Sequence, residues 1–390
     1  MKKNKIIFIH FNRFLDKFDW QRYELDLLSK KFSVEVHVLI NLVHPHLKNK
    51  RYSHSYDNKK VKVFDSLSYW KNTINNYKKD HHFIFQTFPY NYIALKIFLF
   101  IKSKGFKTSI IYINNLPTYK DYGYKINFLK SIYNKTLSII FRPKHSLAIL
   151  NKNIILYLFK LFPKKLSPDY SLVGGSIKKK NYFNKMVRIN SWDFSNTLRK
   201  KKKLKTQSNY ILYISDGETR YQSDSQLWNT KRVEDTNLYL KKLNEFFDLI
   251  EKKYNTKIKI AAHPRSSCNL KIDNRLGGRE NFYGRTYELT RNARFVISWG
   301  STALSYAILT KKPILFIYSK VLQKRNISWN RFASFYSNIL KCKRLNIDNQ
   351  FKKIDIVNAV DSNSYNYFIK NYIITDKFKP NHKIIQKNLV

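Results

Sequence analysis

Two stretches decide how this chain folds: KIKIAAHPR at residues 257–265 and ISWGSTALSYAILTKKPILFIY at 297–318. Each opens on a short run of Ile, Ala and similar residues that reads as a strand buried on both faces. His263-Pro264-Arg265 follows the first strand, and Gly300-Ser301-Thr302 follows the second. TALSYAILT (302–310) then has helical apolar spacing, and PILFIY (313–318) is a further strand. Strand, helix and strand in succession specify a parallel sheet clad by helices. Working outward, YILYIS (210–215) and RFVISW (294–299) read as strands and YELTRNA (287–293) as a short helix. NLYLKKLNEFFDLIEKKY (237–254) is an amphipathic helix, with Leu and Phe recurring every three or four positions.

The first half keeps the same rhythm. KIIFIH (5–10), VEVHVLI (34–40), KVKVFD (60–65), HFIFQT (82–87), TSIIYIN (108–114), YSLVGG (170–175) and VRIN (187–190) read as strands. WQRYELDLLSKK (20–31) and YIALKIFLFIKSKG (92–105) read as helices, the second stopped by Gly105. RKKKKLKTQSN (199–209) is basic and poor in apolar residues, as an exposed linker is. The expected fold is α/β, with two Rossmann-like domains facing each other across a cleft. The N-terminal domain is expected over 1–200, the linker over 201–209 and the C-terminal domain over 210–330. A helical segment, 331–390, is expected to return to the first domain.

With 390 residues and 43% hydrophobic residues, both domains can bury cores, which excludes wholesale disorder. Lys and Arg number 74 against 26 Asp and Glu, a net charge of +48. Lys, Asn, Ile, Tyr and Phe are abundant together while Gly and Pro number nine each, the pattern of an AT-rich coding sequence. The charge is spread along the chain and favours contact with anionic membranes or substrates. Aromatics among lysines suit single-strand nucleic acid, but these fall at apolar-periodic positions and are assigned to the core, so no nucleic-acid partner is expected. Cys268 and Cys342 form no metal or disulfide pattern, which fits a reducing cytoplasm. The apolar run that opens the chain is too short for a signal peptide and reads as a first strand. The stretches 92–101 and 154–162 fall short of the roughly 20 apolar residues of a membrane span, so peripheral attachment to the inner membrane is expected instead.

Walker, GxGxxG, HExxH and GxSxG patterns are all absent. What remains sits at strand ends, where open α/β sheets bind ligands. His263 can donate a hydrogen bond or a proton to a phosphate, on a backbone stiffened by Pro264. Gly300 permits a tight turn, and Ser301 and Thr302 at a helix start suit an anion. Ordinary readings stand beside these: a loop cap for the histidine and a plain N-cap for the hydroxyls. The two motifs lie 38 residues apart, one or two βα units, so their loops can meet at one edge. In SDGETR (215–220), Asp216 or Glu218 beside Gly217 can act as a general base, or Asp-Gly can be a β-turn. Asp19, Asp121 and Asp193 are further candidate bases in the first half.

Strand–HPR followed about forty residues on by strand–GST–helix–KKPILF resembles bacterial surface-polysaccharide glycosyltransferases of the GT-B fold. The likeness is greatest to the sialyltransferase, polysialyltransferase and Kdo-transferase group, and it covers residues 210–320. VRINSWDFSNTL (187–198) is also similar to the interdomain segment of such proteins. The resemblance implies a CMP-activated acidic sugar as donor, no cofactor, no metal in the chemistry, and a capsule or lipopolysaccharide glycan as acceptor. It assigns the HP motif to His263-Pro264 and the Ser/Thr motif to Ser301-Thr302. The acidic motif departs from the group's pattern, since only Asp216 precedes Gly217 where the group has two acids. Arg265 and Arg285 are candidates to offset donor charge. Transfer of a polyol phosphate from a CDP-activated donor uses a similar arrangement, and a non-catalytic assembly scaffold is a third reading.

Overall fold

A computed structural model describes residues 4–48, 56, 58–87, 89–113, 143–176, 185–199, 209–215, 236–263, 272–320, 327–349, 359–375 and 378–389. In the first half β1 (Lys5–His10), β2 (Ser33–Val38), β3 (Val61–Val63), β4 (His82–Phe85), β5 (Lys107–Tyr112), β6 (Tyr170–Gly174) and β7 (Lys185–Ile189) form one sheet. Its order is β3-β2-β1-β4-β5-β6-β7, and every pairing is parallel. In the second half β8 (Tyr210–Ile214), β9 (Lys257–Ala262), β10 (Ile272–Asp273), β11 (Arg279–Tyr283), β12 (Val296–Ser298), β13 (Ile314–Tyr318) and β14 (Arg344–Asn346) form another. Its order is β10-β11-β9-β8-β12-β13-β14, parallel except for the short edge strand β10. Both sheets carry the Rossmann order, with a reversal between β1 and β4 in one and between β8 and β12 in the other. The chain is therefore α/β with two Rossmann-like domains, the GT-B arrangement.

Each sheet is covered on both faces, as near-continuous apolar strands require. On one face of the first sheet Phe8, Val36 and Leu172 pack with Trp20, Leu25 and Leu28; on the other, Ile9, Phe83 and Ile110 pack with Trp70, Phe98 and Phe159. The second domain extends past residue 330, because β14 pairs with β13 and the helix Ile327–Leu340 covers β13. Further on the chain crosses back. The helix Asn381–Asn388 packs Ile384 and Ile385 into the first core, and Asn190 exchanges hydrogen bonds with Asn381 and accepts from the Thr375 amide at 2.8 Å. Gly175 lies against this return: at φ +76° a Cβ there would come within 2.7 Å of the Asn371 carbonyl.

Two local readings differ from the sequence expectation. The helix expected over 20–31 is two pieces, Lys17–Arg22 and Leu25–Leu28, broken at Glu24 with φ 54°. Left-handed backbone at a non-glycine persists only where its surroundings fix it. Here the Glu24 carboxylate accepts hydrogen bonds from the Ser195 hydroxyl, the His382 amide (2.9 Å) and His382 Nδ1 (2.7 Å). Burial alone would raise its pKa, but these bonds and Arg199 outweigh it and hold the carboxyl below its ordinary value. A single carboxylate thus ties the first domain, the interdomain helix and the C-terminal helix. Glu24→Ala is expected to destabilise the fold by about 3–5 kcal/mol, read from urea unfolding at pH 7. Since Glu24 titrates lower folded than unfolded, its contribution is whole above its unfolded pKa of about 4.3 and is lost as pH falls through the lowered native value. A Glu24→Ala loss that is small, or unchanged between pH 7 and pH 3, would count against this tie.

The second difference concerns residues 301–310. The helix begins at Leu304 and ends at Leu309, so Ser301 and Thr302 precede it instead of opening it. Leu304 and Ser305 donate to the carbonyls of Ser301 and Thr302, each at 3.2 Å, a tight turn of 3₁₀ type.

Candidate functional site

A pocket of about 170 Å³ opens at the carboxyl edge of the second sheet and is closed by the first domain. Its floor follows from the strand order. β8 and β12 sit on either side of the reversal, so the chain leaving them diverges and exposes a crevice. Ile214 and Ser215 at the end of β8, Ala261, Ala262 and His263 at the end of β9, and Ser301 and Thr302 beyond β12 all line it. The structure thus brings His263, Ser301 and Thr302 to one cavity.

Gly300 makes the turn after β12. Its φ of 137° is one that side chains rarely adopt, and its amide donates to Ser298 Oγ at 3.3 Å. Ser301 Oγ accepts from the Ala303 amide at 3.3 Å, which fixes the turn and sets the hydroxyl against the pocket. Gly284, Thr286 and Tyr287, after β11, form the third side. Tyr287 leans on Tyr306 with ring centroids 5.4 Å apart.

The first domain contributes Phe18 and Arg22 from the helix Lys17–Arg22, and the interdomain helix Trp192–Arg199 contributes Trp192, Asp193 and Asn196. Trp192 stands edge-on to Phe18 at 5.0 Å and donates its indole N–H to the Gln21 carbonyl at 3.3 Å. Asn196 donates to the Tyr306 hydroxyl at 2.8 Å, joining the interdomain helix to the second domain. Aromatic walls, hydroxyls, an imidazole and one arginine make a cavity suited to a polar, negatively charged ligand with a flat ring.

Asp193 is the unusual group here. It is buried, it lines the pocket, and its Oδ2 has no hydrogen-bond partner among the described residues. Burial pushes its pKa up to about 6, against the pull of Arg22 and of the Ser305 and Tyr306 hydroxyls. Tyr306 is raised well above its usual value by burial and by the Asp193 charge. A buried carboxyl at a pocket wall that changes charge near neutrality is a candidate general base.

Asp216, Glu218, Pro264 and Arg265 lie outside the described residues, as does Asp121. Asp19 serves a different purpose, since Arg13 clamps both its oxygens at 2.7 and 3.0 Å. Arg285 pairs with Glu288 at 2.7 Å in an exposed position and does not line the pocket. Among the described residues the arginine that does is Arg22, which sequence reading does not single out. Among the described residues no group of His, Cys, Asp and Glu is placed to hold a metal ion.

No family model matches the chain, and comparison with curated proteins finds none that matches in sequence. Solved structures are similar over most of its length. The wall teichoic acid polymerase TagF (H444N variant) is 10% identical with TM-score 0.46, covering 100% of this chain and 90% of its own. The UDP-GlcNAc 2-epimerase from Neisseria meningitidis bound to UDP-GlcNAc is 13% identical with TM-score 0.44, covering 99% of each chain. MurG of Acinetobacter baumannii is 9% identical with TM-score 0.42, covering 89% of this chain and 87% of its own.

Proposed function

We propose that this chain is a glycosyltransferase that takes an acidic sugar from a CMP-activated donor and delivers it to a cell-surface glycan. One observation carries the reading: His263 after β9 and Ser301-Thr302 after β12 line a single pocket that Arg22 of the first domain and Asp193 of the interdomain helix close. The resemblance of the HP and Ser/Thr motifs supports the CMP-linked acidic sugar. In this reaction an acceptor hydroxyl attacks the anomeric carbon and the bond from that carbon to the phosphate oxygen breaks. The electron pair stays with the departing nucleotide, where His263, Ser301 and Thr302 hydrogen-bond the developing charge. The acceptor proton passes to a carboxylate. Arg22, from the facing domain, offsets phosphate or sugar carboxylate charge as the cleft closes and excludes water.

A thermal-shift screen with CMP, CDP, UDP, GDP and dTDP tests the donor. CMP is expected to raise the melting temperature most, since a ligand at a hundred times its dissociation constant adds about 2.7 kcal/mol. The largest shift with CDP would move the reading to polyol phosphate transfer, and with UDP to a UDP-sugar. No shift with any of them would remove the nucleotide site.

A further inference from the structure

We propose that the helical layer on one face of the first domain is a docking surface for an anionic lipid bilayer. Three helices form it, Leu67–Asn75, Tyr92–Ser103 and Pro143–Leu161, and all bury their inner sides in the same core, where Trp70, Phe98 and Phe159 meet. Their outer sides are unusual. Leu147, Leu150, Ile154, Tyr157 and Leu161 succeed one another at spacings of three and four residues, and each is between 49% and 60% exposed. That spacing makes one continuous apolar stripe along four turns. Phe162 follows it in the chain, and Tyr92 and Leu99 are exposed on the helix Tyr92–Ser103, which packs against the helix that carries the stripe. Contiguous apolar area of this kind on a surface marks a contact.

The charge around it selects the occupant. None of the three helices contains Asp or Glu, and from His81 to Pro168 the only acidic residue in the sequence is Asp121. Lys96 lies over the Tyr92 ring at 4.4 Å, and Lys71 and Lys104 flank the Phe100 ring at 5.1 and 5.5 Å. Cations beside a half-exposed apolar stripe match a bilayer of anionic headgroups over acyl chains, which takes both. A second copy of the same face would bring lysine against lysine with no carboxylate to answer it. The layer also lies on the opposite face of the sheet from the helix Lys17–Arg22, so docking leaves Phe18 and Arg22 open to the cleft. No helix among the described residues is long and apolar enough to cross a membrane, and the contact is interfacial. It does not depend on the transfer reaction proposed above.

Co-sedimentation of the full chain with vesicles tests this. Binding is expected to vesicles of phosphatidylcholine with roughly 30% phosphatidylglycerol, and to weaken at least tenfold with phosphatidylcholine alone or in about 0.5 M salt. Leu150→Gln with Ile154→Gln, neutral changes at exposed positions, should lower binding to the anionic vesicles at least tenfold while melting and nucleotide-induced shifts stay at the parent values. Lys96→Gln with Lys104→Gln, also exposed, should lower it several-fold and flatten the salt dependence. Parent-level binding by the Leu150/Ile154 variant, or no binding of the parent to anionic vesicles, would overturn the proposal. So would a concentration-dependent dimer, seen by sedimentation equilibrium, that the Leu150/Ile154 variant dissolves.

Discussion

His263→Ala is expected to lower sugar transfer about 10²–10³-fold, the loss that follows removal of one preorganised donor from a developing oxyanion. His263 stands one residue beyond β9 and is only partly buried, so its imidazole contributes little to the core. Melting should therefore stay close to the parent value. The effect belongs to the bond-breaking step, because charge on the phosphate oxygen grows as the sugar leaves. The loss is expected mainly in kcat, with donor binding changed much less. Thr302→Val and Ser301→Ala should each cost less, since the turn amides beside them are left in place. Steady-state kinetics on the donor identified by the nucleotide screen measures all three. Transfer by His263→Ala at the parent rate would take the HP motif out of the chemistry. A loss confined to KM would make His263 a binding residue alone.

The sheets were legible because their signal is local. Runs rich in Ile, Leu and aromatic residues, such as 5–10, 210–215 and 313–318, need no distant partner to be read as buried strands, and each forms one. β11 carries no strand signal in sequence, because RENFY opens on three polar residues, two of them (Arg279 and Asn281) buried, and its parallel pairing with β9 is set across the sheet. The Glu24 break was illegible for the same reason in stronger form: the residue that fixes it, His382, is 358 positions away. At the site, Gly300 and the hydroxyls after it were legible as a turn. Where the helix begins was not, since Ser301 is equally compatible with an N-cap and with the turn that forms. Arg22 carried no signal in sequence, and it becomes a pocket residue only through the meeting of two domains. Asp193 was readable as one candidate base among several, without the burial that sets it apart. Its burial and its neighbours Tyr306 and Ser305 come from the second domain.

That environment sets the last expectation. Asp193→Asn should lower transfer at least a hundredfold with nucleotide binding nearly unchanged, as loss of a general base does, about 10²–10⁴-fold. The pH dependence separates this role from packing. The parent rate should rise with pH through about 6, where the Asp193 carboxyl loses its proton. The groups that face it are Arg22 from the first domain and Tyr306 and Ser305 from the second, with Arg199 acting on Tyr306 and His263 across the pocket. Arg22→Gln removes the cation that pulls the carboxyl down, so it should move the rise to higher pH, while Tyr306→Phe deletes one hydrogen bond to the carboxylate and should shift it the same way. A rise that ignores both changes is not the titration of Asp193, and His263→Ala tells whether the imidazole is its source. Asp216→Asn is the direct competitor, one residue beyond pocket-lining Ser215 in the chain. If Asp216→Asn loses a hundredfold and Asp193→Asn does not, the proton goes to Asp216. Asp193 is then only a buried acid that the domain contact holds near neutrality.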